Sequence, residues 1–304
     1  MDRRRLDWLL DSDPAIRWQV MRDLLDAPPG AIATERARVA REGWGETILA
    51  AQGPDGRWGD GTFFPRGIGT FDTLHLLYLL GADPSDANVQ RALEPVHEAA
   101  RWDYDRNLRF WEGEDEPCIN GRVVLLGAYL GTDVRPIVDR LLGEQMADGG
   151  WNCEQENGSV RGSFDTTINV LEGLLEYERA AGAGGDVRAA RLRGEGYLLE
   201  RGLMRRRSDG GIGQRRWLEL GFPYSWNYDI LRALDHLRSS GRQPDERMRE
   251  ALDIVESKRD ETGRWPREVA YHERLMVDLG ERVGEPSRWI TLRALRVLRW
   301  AESP

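Results

Sequence analysis

The chain has 304 residues and a formal net charge of −9 at neutral pH. That balance lacks the basic patch that marks nucleic-acid binders, and no apolar run approaches the roughly 18 residues of a membrane span. With Cys118 and Cys153 as its only cysteines, the chain has too few for a disulfide framework, so a reducing, cytoplasmic setting is expected.

The opening MDRRRLDWLLDSDP has no apolar core followed by a small-residue cleavage site, so it does not read as a signal peptide. Asp13-Pro14 opens the first clear helix, with Asp as a cap and Pro at the first helical position. Ile16, Val20, Met21 and Leu24 share one face of it, and Pro28-Pro29-Gly30 ends it. Residues 32–51 read as a second helix, polar on one side.

After a loop over 52–69, residues 74–80 are apolar almost all round, as in a helix buried on most sides. Residues 83–100 are amphipathic, with Val89, Leu93 and Val96 inward and Arg91, Glu94 and Glu98 outward. Apolar 121–130 precedes amphipathic 133–145, and mainly apolar 166–177 precedes Arg-rich 186–201. Segments 226–237 and 245–257 repeat the pair, and 289–300 closes the chain. Six buried and five amphipathic helices thus alternate. Two concentric layers satisfy that pattern, and closing the last inner helix on the first removes an otherwise greasy concave face. The expectation is all-α: one closed α/α toroid of about six helix pairs over residues 1–304, with 1–51 closing the ring and 52–304 carrying the repeats.

The repeats are explicit. QGPDGRW, from Gln52, leads through a Gly-rich loop to FDTLHLLYLL, and QMADGGW, from Gln145, leads through a polar loop to FDTTINVLEGLL. Trp58 to Trp151 and Asp72 to Asp165 are both 93 residues apart. Inner-helix starts at Phe71, Cys118 and Phe164 are 47 and 46 residues apart. The intervening copy, centred at 102–105, has lost its Gln and Trp signature; later copies are MRRRSDGGI and SKRDETGRW. In Gln-x-x-x-Gly-x-Trp, the glycine permits a tight turn after a helix, the indole lies over the helix terminus, and the Gln amide bonds exposed backbone. This staple accounts for several of the twelve Trp. Asp72 and Asp165 stand where inner helices begin and read first as caps.

These motifs resemble the repeat of the squalene–hopene cyclase and protein prenyltransferase β-subunit superfamily, over nearly all of 43–300. The resemblance implies a toroid with a central cavity for an apolar, isoprenoid ligand, entered at the inner-helix starts. Proton-initiated cyclases of that superfamily carry D-x-D-D-T, whose middle acid donates the proton. Here the aligned stretches are Gly-Thr-Phe-Asp-Thr and Gly-Ser-Phe-Asp-Thr, which place Phe71 and Phe164 at the donor position. The prenyltransferases hold zinc through Asp, Cys and His. The nearest counterparts are Asp115 and Cys118 with a distant His272, without tight ligand spacing, so no metal or other cofactor is expected.

Candidate catalytic residues are Asp165, Asp72 and Asp229. Candidate cavity residues are Trp111, Glu114, Cys118, Asn120, Phe164, Tyr224, Trp226, Asn227, Arg288 and Trp289. The stretch FPYSWNYD, from Phe222, reads either as a cap with aromatic packing or as a wall able to cover an apolar chain or stabilise a cation. The acidic run of Glu112, Glu114, Asp115 and Glu116 reads as a solvated loop unless one carboxyl is buried, when it becomes a general-acid candidate. Three functions remain open: a terpenoid cyclase- or prenyltransferase-like enzyme, a carbohydrate-active α/α barrel using Asp165, Asp229 and Glu114, and a non-catalytic toroid binding a lipid or a protein. The first would act as a terpene cyclase or a prenyl transferase.

Overall fold

The computed structural model describes residues 2–102, 107–182 and 184–302. Among these residues there are thirteen α-helices and no strand, only isolated β-bridges. The chain is all-α. No helix among them is long and apolar enough to cross a membrane. The residues fall into two compact units. One comprises Met1–Tyr104, Leu220–Ser225 and Val255–Pro304, and the other Asp105–Glu219 and Trp226–Ile254.

The first unit opens with α1 (Arg3–Leu10) and α2 (Pro14–Asp23), capped by the Asp2 and Asp13 side chains. The helix expected over 32–51 is instead two helices, α3 (Pro29–Ala37) and α4 (Gly43–Ala50). The break has a local cause. Gly43 takes a φ of +63°, and the second carboxylate oxygen of Asp13 accepts the Trp44 N–H at 2.8 Å, starting a new helix there. Next come α5 (Thr70–Leu80), buried along nearly its whole length, and α6 (Ala87–Ala99). In α6, Val89, Leu93 and Val96 are buried while Arg91, Glu94 and Glu98 are exposed, as their spacing predicts. The chain's final helix, α13 (Arg288–Ala301), lies against α2. Arg296 donates to the Gln19 side chain and to Asp23, both at 3.0 Å, and Arg288 donates to the Trp8 carbonyl at 3.1 Å.

The second unit alternates buried and amphipathic helices: α7 (Pro117–Leu130), α8 (Arg135–Gly143), α9 (Phe164–Ala181), α10 (Asp186–Leu199) and α11 (Ile230–Ser239). The helix expected to begin at Trp226 begins at Ile230, because the Asp229 carboxylate accepts the Arg232 N–H at 2.7 Å and sets the cap there. Helices α7 and α9 pack at very short range. A side chain on Gly173 would place its Cβ 2.1 Å from the Gly121 carbonyl oxygen, so this crossing admits only glycine. α12 (Arg249–Ser257) follows α11 in the chain.

The staple takes the same form in both units. In the first, the Trp58 indole donates to the Ile48 carbonyl at 2.8 Å, its backbone N–H donates to Thr70 Oγ1 at 3.1 Å, and the Gln52 amide donates to the Gly56 and Ala92 carbonyls at 2.8 and 2.7 Å. In the second, Trp151 donates to the Leu141 carbonyl at 2.7 Å and to Thr167 Oγ1 at 3.0 Å, and Gln145 donates to Gly149 and Ala190, both at 2.8 Å. Trp265 repeats both indole and backbone bonds, to Val255 at 2.6 Å and Thr291 at 3.0 Å, with Arg259 in the Gln place. The turn glycines Gly56, Gly149 and Gly263 have φ of +78°, +88° and +78°. In MRRRSDGGI the turn survives at Gly210, φ +70°, with Ile212 in the Trp place. The degenerate copy at 102–105 lies, beyond Trp102, outside the described residues.

Candidate functional site

The acidic run before α7 does not behave as a solvated loop throughout. Glu112, Asp115 and Glu116 are exposed, but Glu114 is buried. Its backbone is held by Asn120, and Arg140 of α8 donates to the carbonyls of Glu114 and Asp115 at 2.7 and 2.9 Å. Its carboxylate accepts the Glu116 N–H at 2.7 Å. Burial raises the Glu114 pKa from 4.5 to about 7, against the lowering effect of that N–H, and the charges of Glu116 and Asp115 push it the same way as burial. Trp111, in the short turn Phe110–Glu112 just before, meets the Phe110 ring edge-on with centroids 4.7 Å apart.

At the first turn of α7, Cys118 Sγ lies 3.0 Å from Cys153 Sγ, which belongs to the short turn Cys153–Gln155. Glu116 Oε2 lies 3.5 Å from Cys118 Sγ, and Thr166 Oγ1 3.4 Å from Cys153 Sγ. The contact between the two sulfurs lowers the Cys153 pKa and, with burial, raises that of Cys118. Among the described residues, Glu116, Cys118 and Cys153 are the His, Cys or acidic groups that gather three ligand atoms within 4.8 Å of one another. This is not the Asp115–Cys118–His272 set. Asp115 faces Arg140 at 3.7 Å, and His272 lies against Gly67 in the first unit.

The three aspartates are anchors. Asp72, buried in α5, accepts two bonds from Arg66, at 2.8 and 3.1 Å, and the Gly67 N–H at 2.7 Å. Arg66 also donates to Ser225 Oγ at 2.8 Å, which places Asp72 near Tyr224; the Tyr224 ring meets His75 edge-on at 5.6 Å. Asp165 accepts from Arg216 at 2.7 Å and from the Tyr228 N–H at 2.8 Å. Asp229 caps α11. Phe164 stacks on Trp217 at 4.3 Å and meets Tyr197 and Tyr228 edge-on at 5.5 and 5.1 Å. Phe71 packs in the same way between Phe63 and Trp102.

The stretch from Phe222 to Asp229 has residues in each unit. Phe222 stacks on Trp289 at 4.2 Å, and Arg293 lies 4.9 Å over the Tyr224 ring. In the second unit the Arg122 guanidinium sits 4.3 Å over Trp226, whose carbonyl accepts from the Asn169 amide at 2.9 Å. Asn169 Oδ1 in turn accepts from Arg122 at 3.2 Å and from Arg232 at 2.9 Å, and Arg232 pairs with Glu172 at 2.6 Å. The Asn227 carbonyl accepts a further Arg232 bond at 2.8 Å. Two buried guanidinium groups on apolar helices went unread in the sequence. Their signal was available, since an Arg within GRVVLLGAYL has no wet face to occupy. Arg288, in the first unit, lies 4.8 Å over the Trp8 ring. A groove of about 330 Å³ on the first unit, lined in part by Glu46, Gln52, Asn88 and Arg91, involves none of these residues.

No protein-family model and no curated protein matches the chain. Among solved structures, it is similar to the crystal structure of a protein from Actinoplanes. The two share 19% identity with a TM-score of 0.49, over 99% of this chain and 98% of that one.

Proposed function

We propose that the chain is a terpenoid cyclase- or prenyltransferase-like α/α toroid that binds an apolar, isoprenoid ligand, with Glu114 as its proton-donating group. The observation that carries this reading is the staple. The same Trp and Gln bonds recur at Trp58 and Trp151, each leading into a buried helix, and the Trp bonds recur again at Trp265. Trp58 and Trp151 belong to the two Gln-x-x-x-Gly-x-Trp copies on which the superfamily resemblance rests.

Proton-initiated chemistry needs a carboxyl that is neutral, desolvated and held in place. Asp72 and Asp165 are each tied to a guanidinium group, that of Arg66 and that of Arg216. Glu114 meets the need better: burial keeps its proton on near neutral pH, and Asn120 and Arg140 fix its backbone. In such a step the Glu114 O–H bond breaks and a C–H bond forms at an alkene carbon of the ligand, leaving a cation on its neighbour. The carbohydrate-active alternative is less well supported, because two of its three carboxylates, Asp165 and Asp229, are engaged by Arg216 and by the Tyr228 and Arg232 N–H groups.

The test is native mass spectrometry of the purified protein with and without isoprenoid diphosphates, followed by product analysis for wild type and Glu114→Gln. Retained ligand in both, with product from wild type alone, is the expected result. Failure of every isoprenoid to be retained overturns the ligand class, and equal turnover in a folded Glu114→Gln overturns the assigned donor.

A further inference from the structure

The cysteines lie 35 residues apart in sequence, yet their sulfur atoms stand 3.0 Å apart. Cys118 is the second residue of α7, and Cys153 begins the exposed loop that leads to α9. Both are partly exposed. Cys153 Sγ touches the Cys118 thiol and the Thr166 hydroxyl, either of which can donate to a thiolate. Cys118 Sγ touches a carboxylate oxygen of Glu116, which can accept its proton.

From this geometry we propose that Cys118 and Cys153 form a reversible dithiol–disulfide site that reacts with hydrogen peroxide. A shared metal ion is the other use for two thiols and a carboxylate. Two thiolates on one tetrahedral zinc, each at about 2.3 Å from the metal, stand roughly 3.8 Å apart. The sulfurs here are nearer than that, and bonding requires them to close by only about 1 Å more, to roughly 2.05 Å. Residues 154–158 are exposed, so the Cys153 end has room to make that movement.

The Cys153 thiolate attacks one peroxide oxygen. An S–O bond forms, the O–O bond breaks, and hydroxide leaves and is protonated to water, giving a sulfenic acid. Cys118 Sγ, its proton passing to Glu116, then attacks the Cys153 sulfur. The S–S bond forms, the S–O bond breaks, and the departing hydroxide recovers that proton as a second water. The two sulfurs together lose two electrons, which reduce the peroxide to water. A dithiol reductant reverses the change by thiol–disulfide exchange and is itself oxidised to its disulfide. The bridge ties the start of α7 to the loop entering α9. This site does not depend on the proposed ligand or on Glu114 as donor.

The experiment is intact-mass and peptide-level mass spectrometry of the full chain after stoichiometric hydrogen peroxide, with a metal-release assay on the same sample. Expected is a monomer lighter by two hydrogen atoms, a Cys118–Cys153 cross-linked peptide, and recovery of both thiols with dithiothreitol. Cys118→Ser is expected to stop at a Cys153 sulfenic acid that dimedone traps, and Cys153→Ser to form no cross-link. The wild-type measurement decides alone if either variant fails to fold. Two thiols surviving peroxide, cross-linking between chains in place of the internal bridge, or stoichiometric zinc released on oxidation would each overturn the proposal.

Discussion

Asn120 holds the backbone of Glu114 at both ends, its Oδ1 accepting the Glu114 N–H at 2.9 Å and its Nδ2 donating to the Glu114 carbonyl at 2.7 Å. All these groups are buried, so their loss is not made good by water. Asn120→Ala is expected to destabilise the fold by about 2 kcal/mol. It should also let water reach the Glu114 carboxyl, lowering its pKa from about 7 toward 4.5. Carbon-13 NMR titration of the glutamate carboxyls measures this directly. An unmoved pKa in the folded variant would show that Asn120 plays no part in setting it.

The pH dependence of Glu114 runs opposite to that of an ion-paired carboxylate. Burial raises its folded pKa from 4.5 to about 7, so the folded state favours the protonated form. Its contribution to stability is complete below the ordinary value and is lost as pH rises through about 7. Glu114→Gln stays neutral and retains an acceptor for the Glu116 N–H. Relative to wild type it is expected to gain on the order of 2 kcal/mol in slightly alkaline buffer and nothing in acid. Urea unfolding of both proteins across that range checks the crossover; a constant difference at all pH values would contradict it.

Gly149 offers a test of the staple. Its φ is +88°, and an added Cβ would lie 2.7 Å from the Arg193 carbonyl oxygen, which is backbone of α10 and cannot swing aside. Gly149→Ala therefore combines left-handed strain with a clash, at an expected cost of about 2 kcal/mol. Gly158→Ala, also at positive φ but with open space around its Cβ, should cost about 1 kcal/mol or less. Thermal unfolding of the two variants ranks them; equal losses would mean that contact with α10 contributes nothing.

Much of this fold was legible because its signals are local. The turn glycine, the Trp after it and the apolar run that follows lie close together in sequence, and periodicity located the buried and amphipathic helices in turn. The split between α3 and α4 escaped because its cause, the Asp13 carboxylate capping Trp44, lies 31 residues upstream. The site was less legible for the same reason. Glu114 looks like its exposed neighbours in sequence, and its backbone is held by Asn120 and by Arg140, the latter from another helix. Cys118 and Cys153 carry no spacing motif, and their approach is a product of the α7–α9 packing and the loop between α8 and α9. Phe164 was readable as an apolar residue at a helix start, but not as the centre of a cluster with Trp217 and Tyr228.

The buried charge centre at Glu195 joins α10 to the end of α11 and gives the second unit its own acid response. Glu195 Oε1 accepts from Arg191 at 2.5 Å and lies 3.3 Å from His236 Nε2, and Oε2 accepts from Arg242 at 2.9 Å. Burial alone would raise this carboxyl, but the hydrogen bond and charge of His236, with Arg191 and Arg242, bring it down from 4.5 to about 2. Its stabilisation is thus complete above the ordinary value and is lost as pH falls toward about 2. In Glu195→Gln, the buried Arg191 keeps Glu178 as its charge partner among the described residues, at 2.7 Å. Removing one member of such a centre costs about 3 kcal/mol, since the remaining charge stays buried. The deficit of the variant against wild type should be full at neutral pH and shrink steadily through the acid range, because wild type alone has this carboxylate to protonate. Urea titrations of both proteins at a series of acidic pH values measure that difference. A deficit that held constant to the lowest pH would assign the loss to packing and leave the Glu195 charge without a role in stability.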